Sequence, residues 1–310
     1  CCSGKGNSVV GESERRCGFI ADRAIVRRWA RHAGLAHPLI PVRQKASVRR
    51  WQCEDIGALW QLDVTPHRWF GPESDNLPLF DMLDDCSRVI VGARLYPREC
   101  LLAYLDFLSR AFGEFGLPLA LYVDYHSFFF SIAPLMLTTL GEALRLVDVS
   151  FKYAPTAQAK GKVERQHQFW QNRLPSYLSA EQIRGIETAN PHVDDLRRHH
   201  NLKEIHRELE MTPQAAWETA LKERRSVLRP RPATPWWPYI WSIRNQIRVP
   251  LDETIPVGAH RVKIHMAPGT RLVRCEHPDG SFTFLANDVG TGGRPIVIRR
   301  FEANRPTWGI

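Results

Sequence analysis

Between residues 59 and 124 the hydrophobic pattern changes period twice, and few folds accommodate such a change. In LWQLDVT (59–65) Trp60, Leu62 and Val64 alternate with Gln61, Asp63 and Thr65, the period of two expected of a strand. Apolar runs follow over 77–83 and 89–95, joined by the polar Asp84-Asp85-Cys86-Ser87-Arg88, so three successive strands form an antiparallel meander. Leu101, Leu105, Leu108, Phe112 and Phe115 then recur every three or four residues and mark one face of a helix over 99–115. Gly116 and Pro118 stop it, and LALYVD (119–124) supplies a fourth strand. A helix near 138–146, a strand over 147–153 and a long helix from Gly161 complete the series. The order β-β-β-α-β-α-β-α predicts an α/β fold with a mixed five-stranded sheet flanked by helices.

The flanking regions are read more coarsely. Residues 1–20 are polar and Gly/Ser-rich, and are expected to be irregular. Over 23–35, Ile25, Val26, Trp29 and Ala33 fall at helical spacing and leave Arg27, Arg28 and Arg31 largely off the apolar stripe. This is either the last helix of a helix-turn-helix module or a solvated amphipathic helix. Residues 191–228 read as charged helices, with Thr212-Pro213 opening one of them. RPRPATPWWP (229–238) is a Pro-rich linker. Beyond it, short alternating strands with a Pro278-Asp279-Gly280 turn predict a small β-barrel that folds on its own. The expected division is 1–50, 51–190, 191–235 and 236–310.

With 310 residues, two or three domains are expected at about 100–200 residues each. A formal charge of +9 favours a polyanionic partner, since phosphates are neutralised by Lys and Arg with release of counterions. Seven cysteines without a Cys-x-x-Cys pair read as reduced thiols of a cytosolic protein, and no zinc site is legible. The most apolar stretch, 128–140, is too short to span a bilayer and contains Pro134. The chain opens on Cys1 without a signal-like segment, and is expected to be a fragment that lacks its original N-terminus.

Three acids stand out by position. Asp63 lies on the polar side of the first strand, Asp124 closes the fourth, and Glu164 falls in the first turn of the long helix. If the first and fourth strands are neighbours, Asp63 and Asp124 come side by side, and a helix crossing the sheet edge can bring Glu164 to them. Convergent carboxylates repel one another unless a cation is bound, and hard oxygen donors suit Mg²⁺ or Mn²⁺. Two such ions about 4 Å apart serve in-line displacement at a phosphodiester. Asp81, Asp84 and Asp85 compete by charge; Asp84 and Asp85 fall in the hairpin turn and are read as structural.

LWQLDVTPHRWF, FDMLDDCSRVIVG, ALYVDYHSFF and APTAQAKGKVERQHQFW together resemble the ribonuclease-H-like catalytic core of insertion-sequence transposases and retroviral integrases, most closely the bacterial ISNCY type. The resemblance spans about residues 50–290 and includes the small β-barrel behind the core. One departure is FFFSIAPLML (128–137), more apolar than the segment expected after the second Asp. The resemblance implies that Asp63, Asp124 and Glu164 are the catalytic triad and hold two Mg²⁺ or Mn²⁺ ions. It implies cleavage at the 3′ ends of a mobile element and strand transfer, with double-stranded DNA (element ends and target) as partner. It also implies a homo-oligomer on DNA, a helix-turn-helix region at the N-terminus, and work in the bacterial cytoplasm on the nucleoid.

Lys160, Lys162 and Arg165 bracket Glu164 and read as phosphate contacts, or as a solvated face. Gln168, one turn beyond Glu164, and His126, two residues past Asp124, are further DNA-contact candidates. Arg244, Arg248, Arg261 and Lys263 occupy alternate strand positions on which a closed barrel would present charge to DNA. Two other classes stay open: a catalytically inactive, truncated transposase-derived DNA-binding protein, and a ribonuclease-H-like nuclease without strand transfer.

Overall fold

The computed structural model describes residues 23–34, 52–124, 128–129, 138–154, 161–257 and 260–302, with 23–25, 27 and 161–164 described by backbone alone. The expected irregular stretch 1–20 and most of the apolar segment 128–137 lie outside these residues. Helix α1 (Arg23–His32) forms where the N-terminal stripe was read, and its Trp29 is half exposed.

The meander is β1 (Trp60–His67), β2 (Leu77–Asp84) and β3 (Ile90–Leu95). Helix α2 (Leu101–Phe115) follows, then β4 (Ala120–Val123), α3 (Thr139–Arg145), β5 (Ser150–Tyr153) and α4 (Gly161–Ala180). The five strands form one sheet in the order β3-β2-β1-β4-β5, antiparallel within the meander and parallel where β1 meets β4 and β4 meets β5. The expected mixed sheet is present. Helix α2 ends at Gly116, whose φ of 87° is costly for any residue with a Cβ; a Cβ there would also lie 2.6 Å from the Arg229 carbonyl oxygen.

Alternation along the strands feeds two cores. Trp60, Leu62, Phe80 and Met82 face α2 and pack on Leu105, Leu108 and Phe112. On the other face Leu79, Leu83 and Leu95 meet Trp170, Leu174 and Leu178 of α4 and Ala189 and Val193 of α5 (Ile186–Lys203). The expected boundary at residue 190 therefore falls inside a helix that covers the sheet. Helix α5 also finishes the free edge of β3. Asn190 accepts from the Leu95 amide (2.8 Å) and donates to its carbonyl (3.1 Å); Asn201 does the same at Ile90 (3.0 and 3.1 Å). Between these two, the buried Arg197 donates to Glu114 of α2 and to Asp194.

Helices α6 (Pro213–Lys222) and α7 (Trp237–Ile240) lead to β6 (Ile243–Arg248), β7 (Thr254–Val257), β8 (His260–Lys263), β9 (Arg271–Glu276), β10 (Phe282–Leu285) and β11 (Val297–Phe301). They do not close into the expected barrel. The sheet β11-β10-β9-β6 is open, and β7–β8 is a separate hairpin. Closure is unnecessary because both faces of the open sheet are already covered. Leu272, Phe282 and Phe284 pack with Ile255 and Ile264 of the hairpin region. The opposite face, through Val273, Cys275 and Leu285, joins Trp236, Trp237 and Trp241 in the same core as α2.

Candidate catalytic site

Asp63 occupies a position where strand alternation turns a polar residue toward the α4 side of the sheet, opposite to Leu62 and Val64. Its side chain is 19% exposed, and one oxygen accepts from the Val64 amide at 3.0 Å. The other lies 3.9 Å from Nε2 of His167, in the second turn of α4. Two residues further along β1, Thr65 accepts from Gln171 at 3.0 Å, so α4 is laid along the strand that carries Asp63.

Strand β4 brings the second acid. It pairs with β1 in parallel, Trp60 opposite Leu121 and Gln61 opposite Tyr122. The pairing ends there; the same register carried two residues further would set Asp124 opposite Asp63, at a strand spacing of about 4.8 Å. Asp124 itself is exposed at the strand end. The Tyr104 hydroxyl, which donates to Glu99 at 2.6 Å, is pushed up by burial first and then by Glu99, with Asp124 and Asp63 adding to the effect. Both acids thus stand within electrostatic reach of one phenol.

Glu164 lies in the first turn of α4, three residues before His167; its side chain is outside the described residues, as is that of Lys162. Lys160 and His126 also lie outside them. Arg165 is exposed and pairs with Glu208 at 2.8 Å, and Gln168 is exposed. Among the described residues no three His, Cys, Asp or Glu side chains gather as a metal site.

The distal basic residues divide. Arg248 is exposed, Arg261 is 60% exposed and bonds Thr254, and Lys263 is 56% exposed beside Glu253. Arg244 does not face solvent as a barrel would have required. Its side chain is 6% exposed and sits between Glu142 of α3 (3.3 Å) and Asp288 (3.6 Å), joining the C-terminal sheet to the core.

Asp84 and Asp85 are structural, though sealed inside rather than solvated in a turn. Asp84 accepts from Gly57, Trp60 and Ser87; Asp85 accepts from Cys53 and Gln61. Asp81 differs. It lies directly across from Asp63, 1% exposed, with neither oxygen in a hydrogen bond. Burial pushes its carboxyl well up; the nearby Trp170 indole acts against this and Asp63 adds to it. The sequence marked Asp63 as an acid on the polar side of its strand and Asp81 only as a rival by charge; the β1–β2 register makes them partners. His167 was invisible as a neighbour of Asp63, because nothing local reports how α4 crosses the sheet.

No protein-family model matches the chain. The transposase for insertion sequence IS1202 of Streptococcus pneumoniae is 36% identical over 141 residues, 43% of this chain and 30% of that protein. The putative transposase y4bF of Sinorhizobium fredii (strain NBRC 101917 / NGR234) is 28% identical over 213 residues, 63% of this chain and 46% of that protein. Over these stretches the chain is similar in sequence to two bacterial transposases. The chain spans less than half the length of either relative. Among solved structures, the catalytic core domain of HTLV-2 integrase in complex with magnesium covers 52% of this chain and 95% of its own, at 18% identity and a TM-score of 0.41. A simian T-cell lymphotropic virus intasome in complex with PP2A regulatory subunit B56 gamma covers 95% of this chain at 14% identity and a TM-score of 0.48. Among the described residues no helix is long and apolar enough to cross a membrane.

Proposed function

We propose that the chain is a DNA transposase that cuts the 3′ ends of a mobile element and transfers them to target DNA. The observation that carries this reading is the β1–β4 register. Asp63 and Asp124 are 61 residues apart and the two strands pair at that same offset, which supports the two acids of transposase-like motifs meeting at the ends of neighbouring strands. Helix α4, held beside Asp63 through His167, carries Glu164 almost one turn earlier, on the same face by helical period.

An all-carboxylate donor set suits Mg²⁺ or Mn²⁺, and Asp63, Asp124 and Glu164 would hold two such ions. When bound, an ion pair activates an attacking oxygen and stabilises the leaving oxygen of a phosphodiester. The chain's own residues position the strand. Lys160, Lys162 and Arg165 contact its backbone beside the acids, with Gln168, His126, Arg248, Arg261 and Lys263 further along. Water first frees a 3′-hydroxyl at the element end, and that hydroxyl then attacks a target phosphodiester in line. No covalent bond forms between protein and DNA. Joining two ends requires at least two copies on double-stranded DNA, and the work is done in the bacterial cytoplasm on the nucleoid. In this reading the five-stranded sheet with its covering helices, through α5, carries the chemistry and the C-terminal strands assist on DNA.

The test is an assay with labelled element ends, target DNA and Mg²⁺. Joined products are expected. Nicked, unjoined products select a nuclease without strand transfer, and intact DNA with retained binding selects an inactive DNA-binding descendant.

A further inference from the structure

On the outer side of the first turns of α4, away from Asp63, lies a cavity of about 600 Å³ between α4, the β2–β3 turn and the segment after α5. Its charged lining is mostly basic, Arg88, Arg165 and Arg207, with the imidazoles of His200 and His206 beside them and Phe169 on the apolar wall. The one acid, Glu208, is already engaged by Arg165.

Arg88 is the unusual member. It stands in the turn with a φ of 66°, a conformation that a non-glycine residue seldom adopts. Its side chain is 3% exposed, and its Nε and Nη1 are buried without a hydrogen-bond partner. Among the described residues it makes no ion pair. A guanidinium withdrawn from water in this way is costly unless a counter-charge reaches it. The local field is positive: burial and then the charge of Arg88 push the His206 imidazole down, with Glu208 acting the other way. Arg207 is exposed at the rim and also makes no ion pair among the described residues.

We infer that this cavity is an oxyanion site that takes one phosphate of a nucleic acid strand, with Arg88 at its floor and Arg207 at its rim. Planar guanidinium groups suit phosphate oxygens in pairs, and the cavity is roomy enough for the sugar attached to the phosphate. The assignment of that phosphate to a DNA strand rests on the transposase reading, because Arg165 at the cavity mouth directly follows Glu164 in α4. The basic lining does not depend on it.

The test uses the full chain in EDTA, where no cutting occurs, and a short labelled duplex titrated across salt concentrations. Arg88→Met keeps volume and removes charge; Arg207→Ala changes an exposed residue that the fold does not need. Each should weaken binding several-fold at low salt and lower the salt slope by about one unit. Thermal melting should be unchanged or higher for Arg88→Met. A parallel melt in inorganic phosphate separates the sources of the anion. Phosphate-dependent stabilisation of the wild type that is lost in Arg88→Met, with duplex binding untouched, assigns the cavity to a free phosphate. Duplex affinity and phosphate response both unchanged in Arg88→Met and Arg207→Ala would overturn the site altogether. Asp63→Asn serves as the control. If it still cuts with Mg²⁺ the catalytic reading falls, while the binding results in EDTA stand on their own.

Discussion

Asp124 follows Asp63 by 61 residues, the same offset at which β4 pairs with β1 two residues earlier, Gln61 opposite Tyr122. Asp63→Asn, Asp124→Asn and Glu164→Gln should each reduce cleavage and joining by orders of magnitude, because each removes a ligand charge at nearly constant volume. Duplex binding in EDTA and the melting temperature should stay within the range of the wild type. A variant that keeps substantial cleavage would remove its residue from the catalytic set.

Arg165 is not a free cation, since Glu208 holds it. Lys160→Ala and Lys162→Ala should each lower the salt slope of DNA binding by about one unit, irrespective of sequence. Arg165→Ala should lower the salt slope by less, because Glu208 already occupies the guanidinium that would otherwise contact a phosphate. Glu208→Gln should have the opposite sign and tighten binding. Fluorescence anisotropy across salt concentrations measures all four; an Arg165→Ala effect equal to that of Lys162→Ala would mean that the pair opens freely on DNA.

Glu204 provides a pH test of the α4–α5 contact. Burial pushes its carboxyl up, but hydrogen bonds from His200 and Arg173 and their charges outweigh this and hold it down at about 2. A carboxyl depressed in the folded state contributes stability above its ordinary value near 4.5, and that contribution is lost as pH falls through about 2. Glu204→Gln should therefore lower the melting temperature between pH 5 and 7, with the deficit shrinking steadily from about pH 4.5 downward. A deficit independent of pH would show that packing, not charge, sets the cost.

The Pro-rich stretch 229–238 suggests an independent C-terminal module, but its aromatic residues are buried with the core. Trp241 lies edge-on to Phe112 of α2 at 5.4 Å, and Val273, Cys275 and Leu285 share that cluster. Trp241→Ala should cost about 3–5 kcal/mol and lower a single melting transition that includes the catalytic sheet. The fragment 236–310 alone should show no cooperative melt, as one face of its sheet would be exposed. Two separate transitions in calorimetry of the whole chain would contradict this.

The central sheet was legible because strand and helix periods report the elements and their faces, while the strand order β3-β2-β1-β4-β5 came only with the structure. Asp63 was legible for the same reason, as an acid on one side of an alternating strand. Alternation does not report closure, so β6 to β11 read equally well as a barrel or as an open sheet with a hairpin against it. It also equates polar with exposed. That failed for Arg244, whose partners Glu142 and Asp288 are distant in sequence, and for the charged stretch 191–203. Arg197 and two asparagines of that stretch and its boundary are buried, because they satisfy groups of β3 and α2. Asp81 and His167 depended on register and helix placement, which are long-range properties.

The two asparagines that finish β3 are eleven residues apart on a helix, and the residues that they serve are five apart on a strand. Helical rise and strand rise make both distances about 16.5 Å. Helix α5 is thus a ruler cut to the strand, and its two amides imitate the ends of a neighbouring strand without being one. The consequence concerns assembly. The sheet cannot grow on this side by accepting an extended segment from another copy or from a host protein. Copies brought together on DNA must then meet through side chains or through the nucleic acid itself, and shortening or lengthening α5 between Asn190 and Asn201 by one residue would reopen that edge to strand exchange.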